Sequence, residues 1–238
     1  METKNYKWYS FVMAIFVTTL VISNIIAVKL IHINLFGKLD LFLPAAVILF
    51  PVAYIFGDIL TEVYGYANAR RVIWIGFFCN FLAVIAIWVA GLLPAAPIWN
   101  AGIYDSPDIA QQAYQAILGF TPRLLAASFV AYLVGEFLNS FVMAKLKVRT
   151  EGRFLWLRTI SSTILGQGAD SAIFISIAFA GIFSGADLGQ AILSQWGFKV
   201  VFEAAATPLT YWVVATLKRV ENEDYYDRDT NFNPVGLS

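Results

Sequence analysis

Six apolar stretches, at about residues 8–31, 42–64, 72–93, 123–145, 158–183 and 190–217, take up most of the chain. Each is long enough for a membrane helix, which needs about 20 residues to cross roughly 30 Å of hydrocarbon. Composition agrees, with 59% hydrophobic and 13% charged residues, against roughly 25% charged in a typical soluble protein. The expected fold is an all-α integral membrane protein with six transmembrane helices over 1–219. A polar, acidic cytoplasmic tail over 220–238 is expected to be solvated and partly disordered. The first stretch follows Lys4 and Lys7, as a signal peptide would. Its apolar run nevertheless exceeds the usual h-region of about 7 to 15 residues and lacks a clear cleavage site, so it reads as an uncleaved span.

Orientation follows from the basic residues, which cytoplasmic loops retain. With the N-terminus inside, Lys4, Lys7, Arg70, Arg71, Lys145, Lys147, Arg149, Arg153, Arg158, Lys218, Arg219 and Arg228 fall on the cytoplasmic side, 12 of the 16 basic residues. Both termini are therefore expected in the cytoplasm. The long loop at about 94–122 carries Pro94, Pro97, Pro107 and Pro122, which interrupt any long helix, though Ile109 to Leu118 suits a short interfacial one. Small residues mark close helix approach: Ala127, Ala131 and Gly135 on the fourth span, and a GxxxG at Gly181 and Gly185.

Zero net charge provides no field for nucleic acid, and one cysteine and one histidine, Cys79 and His32, rule out disulfide scaffolds and multi-ligand zinc sites. No metal or cofactor is expected. His32 is expected at the interface. No G-x-x-x-x-G-K-[ST], H-E-x-x-H or G-x-S-x-G pattern is present, so those routes to ATP hydrolysis, zinc proteolysis and serine hydrolysis are absent.

The chemistry lies in carboxylates inside the spans: Asp58, Glu62, Glu136, Asp170 and Glu203. At roughly 2.5 to 3.5 kcal/mol each near a helix centre, exposing all of them to lipid would cost on the order of 12 to 17 kcal/mol, so they must face a polar interior, pair, or carry protons. Asn139 lies three residues after Glu136, Gln167 three before Asp170, and Lys199 four before Glu203, so each pair shares a helix face. Lys199 with Glu203 reads equally as a neutralising ion pair or a ligand contact. Glu62 reads as a structural partner of Arg70 or Arg71. Asn24, Glu136, Gln167 and Asp170 read as functional, and Asn80 as an interhelical hydrogen bond. The segment from Val52 to Leu60 aligns with that from Val130 to Leu138, keeping an acid in register at Asp58 and Glu136, which suggests parallel hairpin repeats. Mixed acids, amides and aromatics converging from one chain suit a midplane site for a small polar solute better than a symmetric pore.

At these residues the sequence resembles the queuosine precursor transporter family, also called the vitamin uptake transporter family. The resemblance rests on the run Phe50 to Asp58, on Glu62-Val63-Tyr64-Gly65 with Ala69-Arg70-Arg71, and on Gly135 to Ser140 with Lys145-Leu146-Lys147. It continues in Arg158 to Thr163, Gly166-Gln167, Asp170-Ser171, Thr207 to Tyr211 and Thr230 to Pro234. The resemblance implies a six-helix inner-membrane importer of 7-deazaguanine precursors of queuosine, such as 7-cyano-7-deazaguanine and its aminomethyl relative. One carboxylate, Glu136 or Asp170, would accept the ring N–H and amino group of the guanine-like edge together. Asn24, Asn139, Gln167 or Lys199 would donate to the ring carbonyl, and Tyr54, Tyr132, Phe174 or Trp212 would stack on the base. Asp58 and Glu203 are then candidates for proton coupling or for neutralising internal cations. The expected partners are the small base and the bilayer, without direct contact to nucleic acid, and a homo-oligomer stays open. Proton-coupled exchange between inward and outward states, facilitated diffusion, and a substrate-capturing subunit energised by a separate ATPase module are the alternatives for energy supply.

Overall fold

The computed structural model describes residues 6–35, 39–100, 102–119 and 122–236. Their seven helices are α1 (Tyr9–Ile26), α2 (Phe50–Tyr64), α3 (Tyr66–Leu92), α4 (Pro107–Leu118), α5 (Pro122–Arg149), α6 (Leu155–Phe179) and α7 (Gly185–Glu221). Among the described residues five segments are long and apolar enough to cross a membrane: Tyr9–Ile26, Tyr66–Leu92, Leu125–Arg149, Leu155–Phe179 and Gly185–Glu221. The fold is thus mostly helical, with one departure from the all-α expectation. Residues of β1 (Leu30–Leu35) pair with β2 (Leu39–Pro44) in an antiparallel hairpin, in register from Leu30 opposite Pro44 to Leu35 opposite Leu39. The alternation Ile31-His32-Ile33-Asn34-Leu35 has the period of a strand, and His32 is exposed on it. The helix of the second apolar stretch, α2, begins later than expected for the same reason and is not among those five segments. Leu39-Asp40-Leu41-Phe42-Leu43 lies in the partner strand, a 3-10 turn follows at Ala45–Ile48, and α2 has 15 residues with proline in its first turn.

Short as it is, α2 is the axis of the molecule. It packs against α1, α3, α5 and α7, and every residue from Gly57 to Tyr66 is buried. Large apolar side chains elsewhere face outward: Ile75, Phe78, Leu82, Ile85, Val89 and Leu92 recur at three- and four-residue steps along α3 as one exposed stripe, a face suited to lipid. Around α2 the core is Val12, Phe16, Ile55, Ile59, Leu60, Val63 and Met143, with Val214 from α7.

The small-residue expectation holds on the fourth span, where Ala127, Ala131 and Gly135 are all buried. A Cβ added to Gly135 would lie 2.8 Å from the Asp170 Cβ, and one on Gly166 would lie 2.7 Å from the Asn139 Cβ. These two glycines let α5 and α6 touch backbone to backbone. Gly181 and Gly185 are different: nothing lies within 4 Å of a Cβ at either. They straddle the turn between α6 and α7 instead of forming a helix-packing motif, because Gly181 adopts φ 78° and Ser184 caps α7 by accepting from the Asp187 N–H at 3.2 Å.

The short helix of the long loop is present as α4, capped by Ser106 with Pro107 in its first turn. Its Tyr114 hydroxyl donates to the Ile87 carbonyl at 3.0 Å and its Gln111 amide to Gly91 at 2.8 Å, tying it to the end of α3.

The tail after α7 does not hang in solvent. Asp227 is buried and accepts the Tyr66 N–H at 3.1 Å on each oxygen. Arg70 donates to the carbonyls of Asn231 and Asn233 at 3.1 and 2.7 Å, and Trp74 to that of Pro234 at 2.9 Å. Arg70 is thus engaged with the tail. Gly65, at φ 83°, makes the α2–α3 corner, where a Cβ would collide with the Tyr225 ring at 2.2 Å. Backbone donors that two helix starts leave open are what the acidic tail satisfies. Glu221 completes the pattern by accepting the N–H groups of Lys7 and Trp8 at 3.0 and 2.6 Å, at the head of α1.

Candidate functional site

Tyr54, Asp58 and Glu62 lie four residues apart and share one face of α2. Because α2 is central, that face meets the polar faces of α5, α6 and α7. Asn139 of α5 donates from Nδ2 to Asp58 Oδ1 at 3.0 Å. Lys199 of α7 reaches α6 and donates to Gln167 Oε1 at 2.9 Å and Asp170 Oδ2 at 2.5 Å. Glu136 of α5 lies across from Gly57, its Oε2 3.6 Å from where a Cβ would stand there, with Phe16 of α1 on the other side at 3.5 Å. Tyr54 is within electrostatic reach of Asp170, Glu136 and Glu203, and Asp58 is flanked by Glu203, Glu136 and Glu62. The structure therefore gathers Asp58, Asn139, Gln167, Lys199 and Glu203, all buried, with half-buried Tyr54, Glu136 and Asp170 in one region.

Within it, paired and unpaired groups separate cleanly. Asp170, Gln167 and Lys199 satisfy one another. Of the two readings of Lys199, a pair with Glu203 on its own helix or a ligand contact, the structure shows neither directly: its ammonium bridges to Gln167 and Asp170 of α6. Asp58 and Glu203 are 1% and 0% exposed, yet Asp58 Oδ2, both Glu203 oxygens and Asn139 Oδ1 have no hydrogen-bond partner. Ser171 Oγ is in the same position. Ser171 and Phe16 went unrecognised in the sequence. Ser171 stood beside Asp170 as a small polar residue in an apolar run, whereas Phe16 had no distinguishing signal.

Four expected residues lie elsewhere or are otherwise engaged. Trp212 is 67% exposed on the outer face of α7 and cannot stack on a ligand inside the bundle. Phe174 stands edge-on to Phe179 at 6.4 Å. Tyr132 donates its hydroxyl to the Ile73 carbonyl at 3.0 Å, anchoring α5 to α3. Asn24 donates to Asn80 Oδ1 at 3.1 Å and to the Leu20 carbonyl at 3.1 Å, so the interhelical bond expected of Asn80 is made with Asn24.

At the next level down α2, Glu62 is fully buried under three cations, none of them Arg70 or Arg71. Arg158 grips both oxygens, Nη2 to Oε1 at 2.8 Å and Nε to Oε2 at 3.2 Å. Lys218 and Lys147 approach Oε1 at 2.6 and 3.5 Å. Lys147 and Lys218 also pair with Asp224 at 2.5 and 2.8 Å. Burial alone would raise the Asp224 carboxyl, but the hydrogen bonds and charges of the two lysines outweigh it and hold that carboxyl below its usual range. Glu62 thus has the structural role expected of it, with partners drawn from α5, α6 and α7.

Known proteins share this region. The family model described as "Putative vitamin uptake transporter" matches residues 44–213, a stretch that holds every residue of the buried cluster. A "Probable queuosine precursor transporter" of Bacillus subtilis (strain 168) is 30% identical over 168 residues, 70% of this chain and 68% of the relative. A protein of the same name from Haemophilus influenzae (strain ATCC 51907 / DSM 11121 / KW20 / Rd) is 28% identical over 133 residues, 55% of this chain and 49% of its own length. A "Queuosine precursor transporter" of Escherichia coli (strain K12) is 28% identical over 133 residues, covering 55% and 52%. The match thus spans about half the length of the last two relatives. No solved structure matches. A multi-pass helical protein with a polar cluster at its centre, matched by a family model over most of its length, is a membrane transporter and not an enzyme, and the chain belongs to the vitamin uptake transporter family.

Proposed function

We propose that this chain imports 7-deazaguanine precursors of queuosine across the cytoplasmic (inner) membrane, with 7-cyano-7-deazaguanine and 7-aminomethyl-7-deazaguanine as substrates. The observation that carries the reading is Glu136. It is an intramembrane carboxylate to which no described residue donates a hydrogen bond, set beside a bridge of Lys199, Gln167 and Asp170. A guanine-like edge offers a ring N–H and an amino group side by side, and a carboxylate accepts both. Gln167 uses its oxygen for Lys199, leaving Nε2 to donate to the ring carbonyl. Tyr54 is within electrostatic reach of three of the acids and is the choice for contact with the flat base.

The membrane arrangement proposed is six crossings with both termini cytoplasmic. α2 alone rises about 22 Å, and the four-residue 3-10 turn before it adds about 8 Å, together near the 30 Å required. The helix ends that meet at Glu62 and Asp224 carry Lys147, Arg158 and Lys218, in keeping with a cytoplasmic side rich in basic residues. Asp58 and Glu136, the equivalent positions of the proposed parallel repeat, both belong to the central cluster.

The test is calorimetric binding of 7-cyano-7-deazaguanine to detergent-purified protein, with guanine and riboflavin as competitors. Specific binding that Glu136→Gln removes, while the variant stays folded, is the expected result. A riboflavin signal without binding of the nitrile base would replace this reading by that of a vitamin-capturing subunit and direct attention to a partner ATPase.

A further inference from the structure

Asp58 and Glu203 lie below the proposed base contacts, toward the cytoplasmic end of the bundle. The groups facing them are known from each side. Glu62 and Tyr54 come from α2 itself, Glu136 and the Asn139 amide from α5, Asp170 from α6 with Lys199 of α7 bound to it, and apolar Phe16 from α1 against Gly57. Four carboxylates thus meet one lysine, and that lysine is committed to Asp170 and Gln167. The cations at the next level, Arg158, Lys147 and Lys218, are committed to Glu62 and Asp224. Asp58 and Glu203 are both buried and within electrostatic reach of one another, no described cation is bonded to either, and three of their carboxyl oxygens bear no hydrogen bond. Two ionised carboxylates cannot share a dry site without a counter-charge, because each penalises the charged form of the other and neither has water to stabilise it.

We infer that the Asp58–Glu203 pair carries one proton with each transported base, so that import is driven by the proton gradient. An O–H bond forms on one carboxylate oxygen when the site faces the outside and breaks when it faces the cytoplasm, where the proton leaves to water. No other species is consumed. The exit is lined. Thr207 and Thr210 continue the buried face of α7 below Glu203, and Thr159, Ser162 and Thr163 that of α6. Below them the Glu62 cluster ends at Asp224, which is 45% exposed. Linkage to the base follows from charge. Neutralising one acid of the pair relieves repulsion on Glu136, which must be ionised to accept both donors of the base, so proton and base bind cooperatively.

This inference rests on the proposed substrate for its transport arm and stands without it for its spectroscopic arm. Purified protein in sodium-free liposomes, acidic outside, is given labelled 7-cyano-7-deazaguanine while a trapped dye reports lumenal pH. The expected result is accumulation with lumenal acidification, about tenfold per unit of pH difference at one proton per base and zero membrane potential, abolished by a protonophore. Asp58→Asn and Glu203→Gln should lose accumulation but still exchange labelled for unlabelled base at equal pH. Uptake that ignores the pH gradient, or accumulation that requires a sodium gradient, overturns the inference. Independently of substrate, infrared spectra at neutral pH should contain a protonated-carboxyl band that disappears in Glu203→Gln or Asp58→Asn. Its absence from the unmodified protein also overturns the inference. Presence of the band without binding of the base would retain the proton site and reject the substrate instead.

Discussion

Glu136 and Asp170 were interchangeable as acceptors in the sequence, and their surroundings now distinguish them. Asp170 is half of an ion pair with Lys199, whereas no described residue donates to Glu136. Glu136→Gln should weaken binding of the deazaguanine about 10- to 100-fold, the loss of one or two charge-assisted hydrogen bonds, with little change in thermal stability. Asp170→Asn should reduce both, because it leaves Lys199 buried without its counter-ion, a defect of about 3–5 kcal/mol in dry sites and less here because Asp170 is partly exposed. Calorimetry and thermal denaturation of the two variants side by side check this, and equal destabilisation of both would remove the distinction. At this scale the sequence located the five acids of the apolar stretches but not their partners. The i, i+4 spacing made a Lys199–Glu203 pair one of two readings, whereas Asp170 on the neighbouring helix offers a carboxylate at 2.5 Å together with Gln167.

Element geometry places these side chains. Gly135 and Gly166 let α5 and α6 meet without intervening side chains, so Asn139 and Asp170 stand at the contact. A methyl on Gly166 would lie 2.7 Å from the Asn139 Cβ and 2.8 Å from the Gly135 carbonyl oxygen, and neither is the movable end of a flexible chain. Gly166→Ala should therefore destabilise by about 1–3 kcal/mol and disturb the Asn139 to Asp58 hydrogen bond, lowering transport as well. Gly185→Ala, with open space around it, should stay within about 0.5 kcal/mol of the unmodified protein. Denaturation of both variants tests the contrast. Length and apolarity in the sequence located α1, α3, α5, α6 and α7 to within several residues. They overextended α2 at its start because apolar content alone does not separate a hairpin of alternating residues from a helix.

The end of the bundle proposed to be cytoplasmic binds the whole molecule together, since Glu62 joins α2 to α5, α6 and α7 and the tail crosses the α2–α3 corner. Glu62→Gln should cost about 3–5 kcal/mol, leaving Arg158 and Lys147 buried against a neutral partner, and appear as poor expression or a lowered melting temperature. Selective loss of transport in well-folded protein would instead give Glu62 a direct part in the cycle. The folded-state carboxyl of Asp224 lies below its usual range. Its contribution is therefore complete above the ordinary aspartate range and fades as pH falls through that range toward the depressed folded value. Hydrogen exchange at the Tyr225 amide, which donates to the Val63 carbonyl at 3.4 Å, should accelerate relative to the rest of the core as pH is lowered that far, and Asp224→Asn should remove the extra dependence.

Membrane residence, the approximate helix set and the identity of the acids could be read directly from the order of residues. These follow from local quantities: apolar length against bilayer thickness, and the cost of a carboxylate in hydrocarbon. Which acid is free, which is paired, and which aromatic faces outward could not be read, because they depend on helix phase and on contacts between residues far apart in the chain, 214 positions for Lys7 and Glu221. Trp212 looked like a stacking residue until the rotation of α7 turned it outward. The tail looked like solvated chain until the open backbone donors of Lys7, Trp8 and Tyr66 were found to need its carboxylates, a requirement that exists only once α1, α2 and α3 have packed.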